Sequence, residues 1–274
     1  MSPGRPRPAR APGDRRPARA REGLGGDQVE GRQAVLELLV ARRRAVRRVL
    51  VADHQEPSEV LDRIEALARE RRVPVVAVSR ARLDREAHTE GHQGVLARCD
   101  PVRDVPLASL CEGSGDAFVL VCDGVSDPRN LGALLRSAEC AGVSGVVLPT
   151  HRAARLTPTV AKTAAGAVEH LRFAAVGGIP SALSQLTDLG VRVVGLAPEA
   201  KASLYDLDCA DGPVALVVGG EERGLGRLAR QRCDEVVAIP QLGHIASLNA
   251  SVAGSIACFE VARQRRLGQG RRRR

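Results

Sequence analysis

The stretch AFVLVCDGVSDPRNLGALLRSAECAGVSGVVLP, residues 117–149, decides the fold. Its opening, 117–125, is an almost unbroken apolar run of strand length, which marks a strand buried on both faces. Asp127-Pro128 then signals a turn, and Leu131, Leu134, Leu135 and Ala138 recur at helical spacing over 130–142. GVVLP at 145–149 restarts the strand pattern. A strand, a helix and a second Val-rich strand in so short a span form a βαβ unit, whose strands run parallel.

The same rhythm continues downstream. Strands are predicted at VRVVGLA (191–197), PVALVVGG (213–220) and EVVAIP (235–240), with helices near 159–166, 179–189, 225–231 and 247–263. This is an α/β domain with a mostly parallel sheet covered on both faces. Upstream lies a smaller α/β unit. Val35, Leu36, Leu38 and Leu39 indicate a helix, VLVA (49–52) a strand, 57–71 a helix, VPVVAV (73–78) a strand, and GVLARC (94–99) closes the unit. DPVRDVPLASLCEGSGD (100–116) has little periodicity and reads as a linker. The expected organisation is a disordered basic arm at 1–26, a small domain at 27–99, the linker, a large domain at 117–265 and a basic tail at 266–274.

At 274 residues, 44% hydrophobic and 27% charged, the chain can bury a real core, which excludes whole-chain disorder, collagen and coiled coil. One Tyr, three Phe and no Trp argue against RNA modules that stack splayed bases on aromatic rings. The net charge of +9 is unevenly placed. Residues 1–26 carry seven Arg against Asp14 and Glu22, and residues 263–274 carry seven Arg and no acid, so the body between them is slightly acidic. Such tails suit polyanions such as RNA or DNA, unless they are simply solvated. Seven cysteines without a C-x-x-C pair fit neither a disulfide framework nor a zinc site, and point to a reducing cytoplasm. The N-terminus lacks the apolar segment of a secretory signal. Residues 236–259 hold no charged side chain, but Pro240, Gln241, His244, Asn249 and three serines argue against a membrane span.

In an open parallel sheet, ligands lie outside the carboxyl ends of the strands, so the loops there carry the chemistry. The first, 123–142, offers Asn130, placed either to cap the following helix or to serve a reaction, and Arg136, which lies off the buried stripe and could simply be solvated. The second, VVGGEERGLG (217–226), begins with a Gly pair that lets a ligand approach the backbone. It is not a P-loop, because Leu225 follows Gly224 where Lys is required, nor a Rossmann fingerprint, because Glu221 replaces the second Gly. Glu221 either orients a substrate group or occupies the first turn of a helix. The third, 239–260, places Ser247, Ser251 and Ser255 at helical spacing among Ala246, Ala250, Ala253, Gly254 and Ala257, a surface small enough to pack closely on another backbone. Asn249 stands out in that setting. His244 is a lone histidine without a visible carboxylate partner.

Taken together and in order, these loops resemble the SpoU branch of the SPOUT methyltransferases. Asn130-x-Gly132-Ala133-x-x-Arg136-Ser137-Ala138 is similar to the first family motif, and Val217-x-Gly219-x-Glu221-x-x-Gly224 to the second. Ile239-Pro240-x-x-Gly243-x-x-x-Ser247-Leu248-Asn249-x-Ser251-Val252-Ala253 is similar to the third. The likeness spans about 117–265. VEGRQAV from Val29 and HQGVLA from His92 resemble the substrate-binding domain of the ribosomal guanosine 2′-O-methyltransferases in that branch.

The resemblance implies a deep trefoil knot, a homodimer with sites at the subunit interface, and methyl transfer from S-adenosylmethionine to a ribose 2′-hydroxyl in RNA. The expected RNA is large-subunit ribosomal RNA, with tRNA, antibiotic-resistance methylation of ribosomal RNA, or a non-catalytic ribosome-assembly role as alternatives. It implies that Gly219, Ile239 and Leu248 hold the cofactor, and that Asn130, Arg136, Glu221, Ser247 and Asn249 surround the acceptor ribose. Glu222 and Ala250 depart from the commonest pattern, outside the groups expected to touch substrate.

Overall fold

The computed structural model describes residues 24–113, 115–151, 154–209, 211–245 and 247–272. Most of the expected basic arm, Ala246 and the last two arginines lie outside the described residues.

The N-terminal unit contains β1 (Gln28–Glu30), α1 (Arg32–Ala41), β2 (Val46–Ala52), α2 (Glu59–Glu70), β3 (Val75–Val78), α3 (Arg80–Glu86) and β4 (Val95–Cys99). Its sheet runs β1-β4-β2-β3, with only the β2–β3 pair parallel. Val35, Leu38 and Leu39 of α1 pack with Ile64 and Ala68 of α2 over Val49 and Val95, so the helical spacing read from the sequence is the core face. β1 and α3 are additions to the sequence reading.

The large domain contains β5 (Phe118–Asp123), α4 (Pro128–Cys140), β6 (Gly145–Pro149), α5 (Pro158–Thr163), β7 (Phe173–Val176), α6 (Ile179–Asp188), β8 (Arg192–Leu196), β9 (Ala202–Ser203), β10 (Val214–Gly219), α7 (Arg227–Arg230), β11 (Glu235–Ala238) and α8 (Ala250–Arg272). The seven strands lie in the order β7-β6-β5-β10-β8-β11-β9 and pair in parallel throughout. Alternation along β5 explains its continuous apolar run. Phe118, Leu120 and Cys122 face a layer that includes Leu134, Leu135, Val160 and Val261, while Val119 and Val121 face Leu183, Leu186 and Ala229.

Several expectations are corrected. The last helix begins at Ala250, not at 247, so Ser247 precedes it. It continues to Arg272, so the expected basic tail is helical as far as it is described. Two arginines just before that tail serve the fold. Arg263 pairs with Glu260, and Arg265 donates to the carbonyls of Asp116, Ala117 and Gly212 while lying 5.1 Å from the Phe118 ring centroid. The helix expected at 225–231 is a single turn, and the one at 159–166 stops at Thr163 because Ala165 and Gly166 adopt left-handed backbone. β7 and β9 were not read from the sequence.

Residues 100–116 do more than connect. Leu107–Cys111 forms a 3₁₀ turn whose Leu110 is buried under the sheet, and Val105 N–H donates to the Phe173 carbonyl. At the end of the expected arm, Leu24 N–H donates to the Val102 carbonyl and Val102 N–H to that of Gly25. The two domains are joined by a polar seam. Arg44 and Glu169 form a two-point ion pair with side chains only 7% and 2% exposed, and Arg44 also donates to the Asp100 carbonyl at 2.8 Å. Arg43 donates to the carbonyls of His170 and Leu171, and Lys162 to that of Glu90. Among the described residues, no helix is long and apolar enough to cross a membrane.

Candidate active site

The turns that follow β5 and β10 meet at the carboxyl edge of the sheet because those strands are hydrogen-bonded neighbours. Gly220 N–H donates to the Asp123 carbonyl at 3.0 Å, and the Asp123 carboxylate accepts from Gly226 N–H at 2.7 Å. The β10 turn folds tightly on itself. Gly224 N–H donates to the Gly220 carbonyl, and a Cβ on Gly219 would stand 2.1 Å from the Gly224 carbonyl carbon, so only glycine permits that contact. A Cβ on Gly220 would likewise stand 2.3 Å from the Gly124 carbonyl oxygen.

Asn130 does not cap α4. Asp127 does, accepting from the backbone N–H groups of Arg129 at 2.6 Å and Asn130 at 3.3 Å. The Asn130 side chain is thereby released for the site, where its Nδ2 donates to Glu221 Oε1 at 2.5 Å. Asn249, immediately before α8, supplies the third member. Its Nδ2 donates to Glu221 Oε1 at 2.5 Å and to Asn130 Oδ1 at 3.0 Å. Its Oδ1 accepts from the N–H groups of Ser251 at 2.9 Å and Val252 at 3.3 Å, and from Ser251 Oγ at 2.6 Å. Capping α8 therefore fixes which way the amide points and turns its donor face to Glu221. Glu221 lies in the turn before α7, not in a helix.

Two cavities adjoin at this network. One of about 500 Å³ lies between the ends of β8 and β10 and the start of α8, and is lined by Leu196, Gly219, Leu225, Ser247, Leu248 and Asn249, with Glu199 at its wall. The other, about 600 Å³, is lined by Asp123, Asp127, Asn130 and the Gly220–Gly224 turn. Glu221 belongs to both. The first cavity presents small groups, backbone and apolar area with two carboxylates, Glu199 and Glu221, and one guanidinium, Arg223, a lining that suits a nucleoside carrying a positive charge. A third cavity, of about 350 Å³ at the domain seam, is lined by Arg43 and Arg44, which already bond within the protein.

Of the residues singled out in the sequence, Asn130, Glu221, Ser247, Asn249, Gly219 and Leu248 are brought to these cavities. Arg136 and Ile239 are not. Arg136 is exposed on α4 and lines neither cavity, and Ile239 packs against the main core. His244 is exposed and lines neither. The sequence reading missed Ser251 as a bonding partner, the Asp127 cap, and the loop after β8 with Glu199. The last follows the same strand-end rule that found the other loops.

The SpoU rRNA Methylase family matches residues 117–259, and the RNA 2′-O ribose methyltransferase substrate binding family matches residues 28–105. The 23S rRNA (guanosine-2′-O-)-methyltransferase RlmB of Pseudomonas putida is 39% identical over 88% of this chain and 98% of its own length. The protein of the same description from Xanthomonas axonopodis pv. citri is 45% identical over 80% of this chain and 89% of its own. Among solved structures, the SpoU methyltransferase AviRb from Streptomyces viridochromogenes, in complex with the cofactor AdoMet, superposes with a TM-score of 0.74 at 25% identity, over 87% of this chain and 89% of that one. With the three motif loops assembled at one sheet edge and both domains matched in order, the chain belongs to the SpoU rRNA methylase family.

Proposed function

We propose that this protein transfers the methyl group of S-adenosylmethionine to the ribose 2′-hydroxyl of a guanosine in large-subunit ribosomal RNA, in the cytoplasm. The observation that carries this reading is the Asn130–Glu221–Asn249 network, drawn from the first turn of α4, the turn after β10 and the residue before α8, and set where two cavities meet. The family relationship to proteins described as 23S rRNA guanosine methyltransferases supplies the substrate class.

Gly219 and Leu248 and their backbone, which line the first cavity, would hold the cofactor, which when bound supplies an electrophilic methyl on a sulfonium. Asn130, Glu221, Ser247 and Asn249 would hold the acceptor ribose in line with it. Positioning of this kind supplies roughly 7 to 11 kcal/mol of the barrier. Glu221, held by two amide donors, is oriented to accept from a ribose hydroxyl rather than free to rotate. A guanidinium is a poor base, so Arg136 would bind the RNA phosphate and stabilise the developing alkoxide while phosphate or water takes the proton.

A homodimer forms part of the proposal, with the deep knot implied by the family. Leu242 and Ile245 in the preceding turn, Leu248, and Val252 and Phe259 on α8 are exposed apolar side chains on or before the helix that adjoins the site, and a second copy covering them would bring its own groups to the cavities. Arg136, which lines neither cavity of its own protomer, is the residue such an arrangement concerns most.

The test is tritiated methyl transfer to 23S rRNA from a strain lacking the protein, with the 2′-O-methyl position mapped. Site-specific labelling is expected; absence of label on any transcript refutes the proposal. Replacing Arg136 by Lys should keep RNA affinity and lose most turnover, and unchanged turnover would remove Arg136 from the mechanism.

A further inference from the structure

The two adjoining cavities have a lopsided electrostatic lining. Among the described residues they expose five acids, Asp123, Asp127, Glu199, Glu221 and Glu222, and one cation, Arg223, which lines both. Four of the acids are engaged. Asp127 caps α4, Asp123 accepts from Gly226 N–H, Glu221 receives the two amides, and Glu199 pairs with Arg230. Arg223 is exposed and makes no hydrogen bond or ion pair among the described residues. Its base is nevertheless fixed, because the turn carrying it is closed by the Gly224-to-Gly220 hydrogen bond and by backbone contact between Gly219 and Gly224. A guanidinium held on a rigid turn between two cavities, with no internal partner, is arranged for an external anion.

We infer that Arg223 binds an anionic oxygen group of a reactant, an inference that rests on the function proposed above. Each reactant carries such a group: the carboxylate at the amino-acid end of the donor, and a phosphodiester flanking the acceptor ribose. The surrounding acids favour a sulfonium but repel both anions, and Arg223 is the group that offsets this at the junction.

Arg223→Met and Arg223→Lys distinguish the two sources. The variants are titrated calorimetrically with S-adenosylmethionine and with 5′-methylthioadenosine, which lacks the carboxylate, and by filter binding with protein-free 23S rRNA over a salt series. Arg223→Met should weaken one ligand by about tenfold or more, the usual worth of a charge-assisted hydrogen bond, at unchanged melting temperature. Arg223→Lys should recover part of the loss. Weakened S-adenosylmethionine with unaltered methylthioadenosine assigns the donor carboxylate. Unaltered donor binding, with weaker RNA binding and a salt slope shallower by about 0.9, assigns the phosphodiester. A Met variant that binds all three as the wild type does overturns this inference alone, whereas a wild type that binds neither donor nor RNA overturns the proposed function with it.

Discussion

Asn249→Asp separates the two duties of a single amide. The oxygen side caps α8 through Ser251 and Val252, and aspartate keeps it, since Asp caps as well as Asn and a negative charge at a helix N-terminus contributes about 0.3 to 1 kcal/mol. The nitrogen side donates to Glu221 and Asn130, and aspartate replaces it with an oxygen facing the Glu221 carboxylate. Two unit charges about 4 Å apart repel by about 1 kcal/mol in water and about 4 at a partly buried site. Both residues are exposed, so the smaller figure governs and the helix-end gain offsets much of it. Net stability should therefore stay within about 1 kcal/mol of wild type. Asn249→Ala, which loses the cap, should cost about 0.5 to 2 kcal/mol, at about 2 to 4 °C of melting temperature per kcal/mol. Methyl transfer should fall by about ten- to a hundredfold in the aspartate variant, the worth of a hydrogen bond to a charged group. Thermal melts and single-turnover transfer to 23S rRNA check the pair. If the aspartate variant melted as low as the alanine one, or turned over at the wild-type rate, the division of labour across this amide would be wrong.

Three further outcomes follow from the packing. Arg44→Ala strands the buried Glu169 carboxylate at the domain seam and should cost about 3 to 5 kcal/mol in urea unfolding, while replacing both partners with apolar residues recovers most of it; a loss below about 1 kcal/mol would show that the ion pair does not hold the seam. Gly132→Ala would put a methyl 2.6 Å from Thr163 Cβ and 2.9 Å from the Val160 carbonyl oxygen, forcing α4 from α5 at about 1 to 3 kcal/mol, and a melt equal to wild type would contradict that contact. Burial pushes the thiols of Cys99, Cys122 and Cys258 up to about 12, above their unfolded value. The folded chain then holds protons that the unfolded chain releases, so stability present below about pH 8.5 is lost as pH rises toward 12, by about 1.4 kcal/mol per unit for each thiol. Denaturation in reducing buffer at pH 8 and pH 10 measures the difference, and equal stabilities would argue that these thiols are not buried.

The strands and helices around the site were legible because burial imposes a period. Val119 and Val121 must face one layer and Leu120 and Cys122 the other, and Leu131, Leu134, Leu135 and Ala138 must share a face. The three glycine-bearing loops were legible for a related reason, since a turn that brings Gly219 against Gly224 tolerates no side chain and leaves its mark in composition. The family likeness then named residues for a site. The partners of those residues were not legible. That Asn130 and Asn249 turn their amides toward Glu221, and that Arg223 rather than Arg136 lines the cavities, depend on how strand neighbours distant in sequence bring their loops together. Local sequence determines periodicity and turn chemistry because those act over a few residues. Only the tertiary structure decides which polar groups meet, because a hydrogen bond spans about 3 Å and two residues ninety positions apart reach that distance only when the sheet sets them side by side.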